Sequence, residues 1–135
     1  MKPFLHPDNR RWMIVGTLFL AIISNYLDRQ LVSILKPTLM EYFQMDNSGY
    51  ALIANVFTLC YAIMYPITGW LVDKFGIKTL MTTGMIVWSS ACILGGLSTS
   101  FTKFAIARAM LGVAEPIVFT AQLAVVTVWF SGKLR

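Results

Sequence analysis

Long apolar segments dominate this chain, and they constrain its fold more than any other feature. The stretches 50–72 and 79–102 contain no charged residue. Four apolar segments occupy most of the chain, at about 12–35, 50–72, 79–97 and 104–129. Because the hydrocarbon core of a bilayer is about 30 Å thick and needs roughly 20 apolar residues per helix, the sequence predicts an all-α integral membrane protein with four transmembrane helices.

The overall composition also indicates a membrane protein. Hydrophobic residues make up 57% of the chain and charged residues 13%, which is too few charges to cover the apolar surface of a soluble domain. Basic residues precede the first segment, as they do in cleaved signal peptides. That segment continues through residues 25–29 without a small-residue cleavage pattern, so we expect it to be retained as a helix.

The positions of the basic residues predict the orientation of the chain. Only Lys36 and Lys103 lie on the side of the membrane that also carries Glu41 and Asp46. The opposite side carries Lys2, Arg10, Arg11, Lys74, Lys78, Lys133 and Arg135. By the positive-inside rule, we expect a multi-pass protein of the plasma (inner) membrane with both termini cytoplasmic. Residues 1–11 then form a cytoplasmic tail and residues 131–135 begin a cytoplasmic loop, and the net charge of +5 reflects topology and not nucleic-acid binding.

Proline and small polar residues predict where the helices end. The first helix should end near Pro37, because proline disfavours helical geometry in the residue before it. Residues 38–44 are expected to continue as an interfacial turn of helix. Residues 46–48, Asp-Asn-Ser, are good N-caps for the second helix, and residues 98–100 separate the third helix from the fourth.

Ionisable residues occur in the first and fourth segments, as Asp28 and Arg29 in the first and as Arg108 and Glu115 in the fourth. A charge at the bilayer centre costs at least about 2.5–3.5 kcal/mol, so such groups face the protein interior and pair. Arg108 and Glu115 are seven residues apart and share one helix face with Gly112, where a small residue permits close approach. We expect one shared polar cluster between these helices. A purely structural ion pair is the alternative.

Residues 69–78 include the end of the second segment and the short turn before the third, with the sequence Gly-Trp-Leu-Val-Asp-Lys-Phe-Gly-Ile-Lys. The connection resembles the loop between helices two and three of major facilitator superfamily transporters, G-x-L-x-D-x-x-G-x-(K/R). The matching positions are Gly69, Leu71, Asp73, Gly76 and Lys78.

Physical reasons accompany this loop motif. Gly76 permits a tight turn, Gly69 permits close helix packing, and Asp73 is expected near the positive end of the third helix. The resemblance implies that the motif, with Lys74 and Lys78, stabilises one conformation of an alternating-access cycle. Alternatively, these charges only mark a cytoplasmic turn.

Three motifs in order refine the resemblance to the anion:cation symporter branch of the superfamily. They are Asn25-Tyr-Leu-Asp-Arg29-Gln30, Tyr61…Pro66…Gly69-Trp-Leu-Val-Asp73 and Arg108-x-x-Leu-Gly112-x-x-Glu115. This branch includes bacterial hexuronate, galactonate and tartrate permeases and vesicular and lysosomal organic-anion carriers. The resemblance covers nearly all of residues 12–135 and implies proton-driven uptake of a carboxylate substrate.

The resemblance also implies substrate-binding residues. Arg29 would bind the substrate carboxylate, while Tyr61, and Tyr26 or Asn25, would line the sugar-acid site. An arginine fork suits bidentate contact with a carboxylate. Sugar acid, dicarboxylate and aromatic acid all stay open as the transported anion.

Proton coupling is the remaining role that the resemblance implies, with Asp28 and Glu115 as the coupling acids and Arg108 as the residue that pairs with them. Burial favours the neutral form of a carboxyl group, and a nearby arginine favours the charged form. Pro116 departs from the usual run of the family, and it frees the carbonyl of Gly112 within the helix.

Superfamily members have two six-helix halves, so we expect residues 12–130 to form an incomplete N-terminal half that needs the missing helices of the same transporter. Two alternatives stay open: a remnant that only inserts in the membrane, and a small four-helix exporter that acts as an oligomer. The sequence contains no catalytic or metal-binding pattern, and the proton is the only coupling species expected. Cys60 and Cys92 are interpreted as small apolar residues of the second and third helices.

Overall fold

The computed structural model describes the backbone of residues 7–130 and the side chains of residues 12–128. All regular elements in this part of the chain are helices. The helices are α1 (Pro7–Ile34), α2 (Lys36–Tyr42), α3 (Asn47–Phe75), α4 (Ile77–Gly96) and α5 (Phe101–Phe130). The predicted all-α fold is therefore confirmed for this part of the chain. Residues 1–6 of the predicted tail and the predicted loop start at 131–135 lie outside the described residues.

Three of these helices, α3, α4 and α5, are each long and apolar enough to cross a membrane. Helix α1 meets the same standard only together with α2, and the two are bent by 61° at a short break. Leu35 lies at this break, and Pro37 lies in the first turn of α2, where its missing N–H costs no helical hydrogen bond. Counting the bent pair as one span gives the four predicted spans.

Several helix boundaries differ from the sequence prediction because helical hydrogen bonding continues beyond the apolar segments. Helix α1 begins at Pro7, so residues 7–11 of the predicted tail are helical. Helix α3 continues to Phe75 and α4 begins at Ile77. The predicted connection, residues 73–78, is therefore the end of one helix, a single joint residue and the first turn of the next.

Gly76 is that joint residue. Its φ is 80°, a left-handed conformation that glycine adopts without steric cost, and its N–H donates to the Val72 carbonyl at 2.9 Å. The predicted tight turn is therefore confirmed. Gly69 makes no close contact with another described helix, since no atom outside its own stretch of helix lies within 4 Å of the position of a Cβ there.

The N-terminus of α3 is capped as the sequence predicts. The Asp46 carboxylate accepts hydrogen bonds of 2.8 Å from the N–H of Gly49 and from the hydroxyl of Ser48. These two donors hold the pKa of Asp46 below its usual value, because they stabilise the charged form. The cap fixes the residue at which the chain turns back into α3.

Helix α5 is the centre of the packing, since it contacts α3 and α4 extensively and α1 to a smaller extent. A Cβ at Gly112 would lie 2.5 Å from the carbonyl oxygen of Phe57 and 2.9 Å from the Cβ of Cys60. The backbones of α3 and α5 therefore touch at Gly112, as small residues allow in membrane helices. The Thr68 and Thr120 hydroxyls add a hydrogen bond of 2.7 Å between the same helices.

Candidate functional site

An ion pair at the middle of α5, the longest helix among the described residues, joins α5 to α1. The Nε and Nη2 atoms of Arg29 donate to Oε2 of Glu115 at 2.9 and 2.6 Å. Glu115 lies midway along α5 and is only 1% exposed, while the Arg29 side chain is 40% exposed. The pair satisfies a deeply buried carboxylate and leaves part of the Arg29 side chain exposed.

Helix α3 supplies an aromatic wall for the same guanidinium. The Cζ atom of Arg29 lies 4.8 Å from the ring centroid of Tyr61 and 5.4 Å from that of Phe57. Both distances are within the range of cation–π attraction. Arg29, a residue of α1, thus contacts two other helices through its side chain: α5 through the Glu115 carboxylate and α3 through the rings of Tyr61 and Phe57.

A cavity of about 240 Å³ opens beside the ion pair. Its lining includes the polar side chains of Asn25, Tyr26, Arg29, Tyr61, Glu115 and Gln122. All four residues that the sequence suggests for substrate binding therefore line one cavity, together with one of the two suggested coupling acids. The roles proposed for these residues stay predictions, but all of the residues lie around the same cavity.

Gln122 is a lining residue that the sequence prediction missed. It is 4% exposed and lies two helical turns after Glu115, on the same face of α5. An amide inside an otherwise apolar span was the available signal, because polar groups in a membrane helix usually face the protein interior.

Asp28 belongs to a different set of contacts. Its Oδ2 atom accepts hydrogen bonds from Nε1 of Trp88 at 3.2 Å and from Sγ of Cys92 at 3.0 Å. The interpretation of Cys92 as a merely apolar residue is wrong, since its thiol is a donor to this carboxylate. The indole N–H of Trp88, which needs an acceptor inside a span, was the signal for this pairing. Among the described residues no group of three or more His, Cys, Asp or Glu side chains is placed to hold a metal ion.

Arg108 lines a second cavity with Asp28, of about 500 Å³, near the turn between α4 and α5. Its Cζ atom lies 5.1 Å from the ring centroid of Phe104. Within residues 12–128, the one salt bridge is that between Arg29 and Glu115, so the expected ion pair of Arg108 with the acids is not formed in this structure. The role of Arg108 stays a prediction.

The expected single polar cluster is therefore divided in two, and helix geometry explains the division. Consecutive residues are about 100° apart around a helix axis, so Asp28 and Arg29 face different neighbours. Arg108 and Glu115 share a face but lie about 10 Å apart along it. A third cavity, of about 170 Å³, is lined by both Arg29 and Arg108 and lies between the two groups.

The motif at residues 69–78 is remote from these cavities. Asp73 lies in the last turn of α3 and not at the start of α4, about 18 Å along the helix axis from Tyr61. The Nζ atom of Lys74 lies 4.5 Å from the ring centroid of Trp70, and Lys78 lies in the first turn of α4. The conformational role of the motif stays a prediction.

Comparison with known proteins gives a consistent result. The sequence profile of the Major Facilitator Superfamily matches residues 18–135. A galacturonate transporter of Dickeya chrysanthemi is 30% identical over 125 residues, which are 93% of this chain and 36% of that protein. The hexuronate transporter of Escherichia coli K12 is also 30% identical over 125 residues, 93% of the chain and 29% of the relative. The chain thus spans about a third of the length of the curated relatives it matches.

Proposed function

This chain belongs to the major facilitator superfamily, and on that premise we propose that it provides part of the substrate pathway of a proton-coupled organic-anion symporter. The proposed substrate class is a sugar acid. Two relatives are named as transporters of galacturonate and of hexuronates, which are carboxylates. Transport by the whole protein would also need helices that face this pathway, because superfamily members bind substrate between two halves.

The observation that carries the proposal is the partly exposed Arg29 side chain, which lines a cavity of about 240 Å³. A guanidinium has five N–H donors, and Glu115 takes two of them. Donors therefore remain for a ligand carboxylate, and the arginine fork suits such a ligand. Asn25, Tyr26 and Tyr61 add polar groups on the other walls of the cavity.

Two further features favour an anion over a cation as the ligand. The cavity of about 170 Å³ has both Arg29 and Arg108 in its lining, and its described lining residues include no carboxylate. Clefts lined by one sign of charge concentrate ligands of the opposite sign. In the larger cavity, the Asp28 carboxylate already accepts hydrogen bonds from Trp88 and Cys92. It therefore competes less with a ligand anion for the Arg108 guanidinium.

Competition for Arg29 supplies a physical route to proton coupling. A substrate carboxylate that binds Arg29 must share the guanidinium with Glu115, and a proton on Glu115 removes the competing negative charge. Substrate and proton then favour each other's binding, and this coupling is reciprocal. We assign the second coupling acid to Asp28 and a tuning role to Arg108.

The proposed location is the plasma membrane with both termini cytoplasmic. The distribution of basic residues supports this orientation, and it places α2 and the turn before α5 on the outer side. The Arg29–Glu115 pair then lies near the bilayer midplane, where substrates of this superfamily bind. The motif at residues 69–78 lies on the cytoplasmic side.

Replacing Arg29 tests the proposal. In the whole transporter, we expect Arg29→Ala to reduce proton-driven uptake of D-galacturonate into proteoliposomes by at least about 100-fold, because two charge-assisted hydrogen bonds are worth about 1.5–3 kcal/mol each. Arg29→Lys should retain part of the uptake. Lys103→Ala, which removes an exposed basic residue, is the matched control.

Loss of folding must be separated from loss of the ligand contact, because Arg29→Ala alone leaves Glu115 buried without its partner. The double variant Arg29→Ala/Glu115→Gln removes that orphaned charge. We expect it to elute as a monodisperse species and still to fail in uptake. Uptake at the wild-type rate in either alanine variant would reject Arg29 as the substrate-binding residue.

A further inference from the structure

Gln122 is a buried polar side chain that takes part neither in the Arg29–Glu115 ion pair nor in the substrate contacts proposed above. It is 4% exposed, it lines the cavity of about 240 Å³, and it makes no side-chain hydrogen bond to another residue within the described part of the chain. In that same part, every fully buried side-chain nitrogen or oxygen has a hydrogen-bond partner. The amide nitrogen and oxygen of Gln122 therefore keep some exposed area, and the residue lines this cavity.

The position of Gln122 divides the cavity into a charged end and an amide end. Gln122 follows Glu115 by seven residues, about 10 Å along α5, and helical side chains lean toward the helix N-terminus, which here means toward Glu115. Asn25 precedes Arg29 by one turn on α1 and lines the same cavity. A ligand with its carboxylate on Arg29 would extend its remaining atoms toward these two amides.

We propose that Gln122 binds the hydroxyl groups of the transported anion, so that the site selects a polyhydroxylated carboxylate over one of similar size without hydroxyls. This inference rests on the proposed function and specifies its substrate class. An amide offers two donors and one acceptor group, which match the donor and acceptor of a hydroxyl. A ligand without hydroxyls would displace water from the amide and leave the amide without a hydrogen-bond partner. The cost of such an unpaired group lets a polar site discriminate strongly between ligands with and without hydroxyls.

The test is equilibrium binding to the purified protein in lipid nanodiscs with two probes. D-galacturonate carries a carboxylate and several hydroxyls on a six-membered ring, and cyclohexanecarboxylate has the carboxylate and the ring without hydroxyls. We expect Gln122→Leu to weaken D-galacturonate binding about 3- to 10-fold, the range for a lost neutral hydrogen bond, and to tighten cyclohexanecarboxylate binding, because no amide is then left unpaired. Gln30→Leu, the same change at an exposed position of α1, should alter neither affinity.

Three results would overturn the inference, and they are distinguishable. Equal weakening of both probes by Gln122→Leu would mean that Gln122 only maintains the shape of the cavity. Unchanged binding of both would mean that its amide does not contact the ligand. Wild-type protein that binds neither probe would reject the proposed function as well.

A second variant covers the case in which Gln122→Leu does not fold. Gln122→Asn keeps the amide but withdraws it by one methylene, so the polar character of the cavity is preserved. We expect a smaller preference for D-galacturonate over cyclohexanecarboxylate than in the wild type. An unchanged preference in this variant would contradict the proposed contact.

Discussion

The Arg29 side chain connects a buried acid, an aromatic wall and an open cavity. It donates two hydrogen bonds to Glu115 and lies over the Tyr61 ring, yet 40% of the side chain is exposed. Breaking a buried ion pair by removing one partner typically costs about 3–5 kcal/mol. The residue therefore contributes to stability and to the proposed ligand site at once, and single substitutions there must be interpreted with a double variant.

At Glu115, we predict that Glu115→Gln uncouples uptake from the proton gradient. The glutamine amide keeps an acceptor oxygen for Arg29 but neither gains nor releases a proton. Uptake of D-galacturonate into proteoliposomes should therefore be equal with and without an imposed pH gradient. Glu41→Gln, which changes an exposed acid on α2, should respond to the gradient like the wild type. A wild-type response of the Glu115 variant would exclude Glu115 as a coupling acid.

The polar residues could be found from the sequence, but their partners could not. A charge in an apolar span is visible as such, and its cost implies an interior location. Which neighbour it meets depends on how each helix is rotated about its axis. That rotation directs Arg29 to Glu115 and Asp28 to Trp88 and Cys92. Gln122 was overlooked because one amide among apolar residues carries little signal.

At the scale of the helices, the apolar segments predicted the spans well and their ends less well. The bilayer sets a minimum apolar length, but a helix continues beyond that length wherever its backbone stays hydrogen-bonded. This explains why α3 reaches Phe75 and why only Gly76 separates it from α4. The bend at Leu35 was partly foreseen from Pro37, because proline restricts the residue before it.

The contact between α3 and α5 makes Gly112 the most restrictive position in the packing, and we predict that Gly112→Ala destabilises the protein by about 1–3 kcal/mol, as overpacking typically does. The new methyl group would lie 2.5 Å from the carbonyl oxygen of Phe57, a backbone atom that cannot move alone. Thermal unfolding in detergent, followed by circular dichroism, measures the effect.

Gly16→Ala is the matched control for that experiment. No described atom outside its own stretch of helix lies within 4 Å of the position of a Cβ at Gly16, and alanine favours a helix interior over glycine. We expect the control to unfold at the same temperature as the wild type or slightly above it. Equal unfolding temperatures for the two alanine variants would contradict the close approach of α3 and α5.

For the molecule as a whole, the proposed orientation predicts which turns react with reagents outside the cell. In a background with Cys60→Ser and Cys92→Ser, Ser100→Cys should react with a membrane-impermeant maleimide in intact spheroplasts. Lys74→Cys should react only after permeabilisation, because the proposal places it on the cytoplasmic side. Reaction of Lys74→Cys in intact spheroplasts, with Ser100→Cys protected, would reverse the topology.

The joint at Gly76 has a mechanical consequence for any motion of this helix assembly. An extended chain rises at most about 3.6 Å per residue, so Phe75 at the end of α3 and Ile77 at the start of α4 stay within about 7 Å of each other. Neither helix can therefore slide far along its axis without pulling the other. Helix α1 is tethered to α3 by a bent linker that includes a whole short helix. Helix α1, which carries Asp28 and Arg29, is therefore freer to shift along its axis, while α3 and α4 move together as one unit.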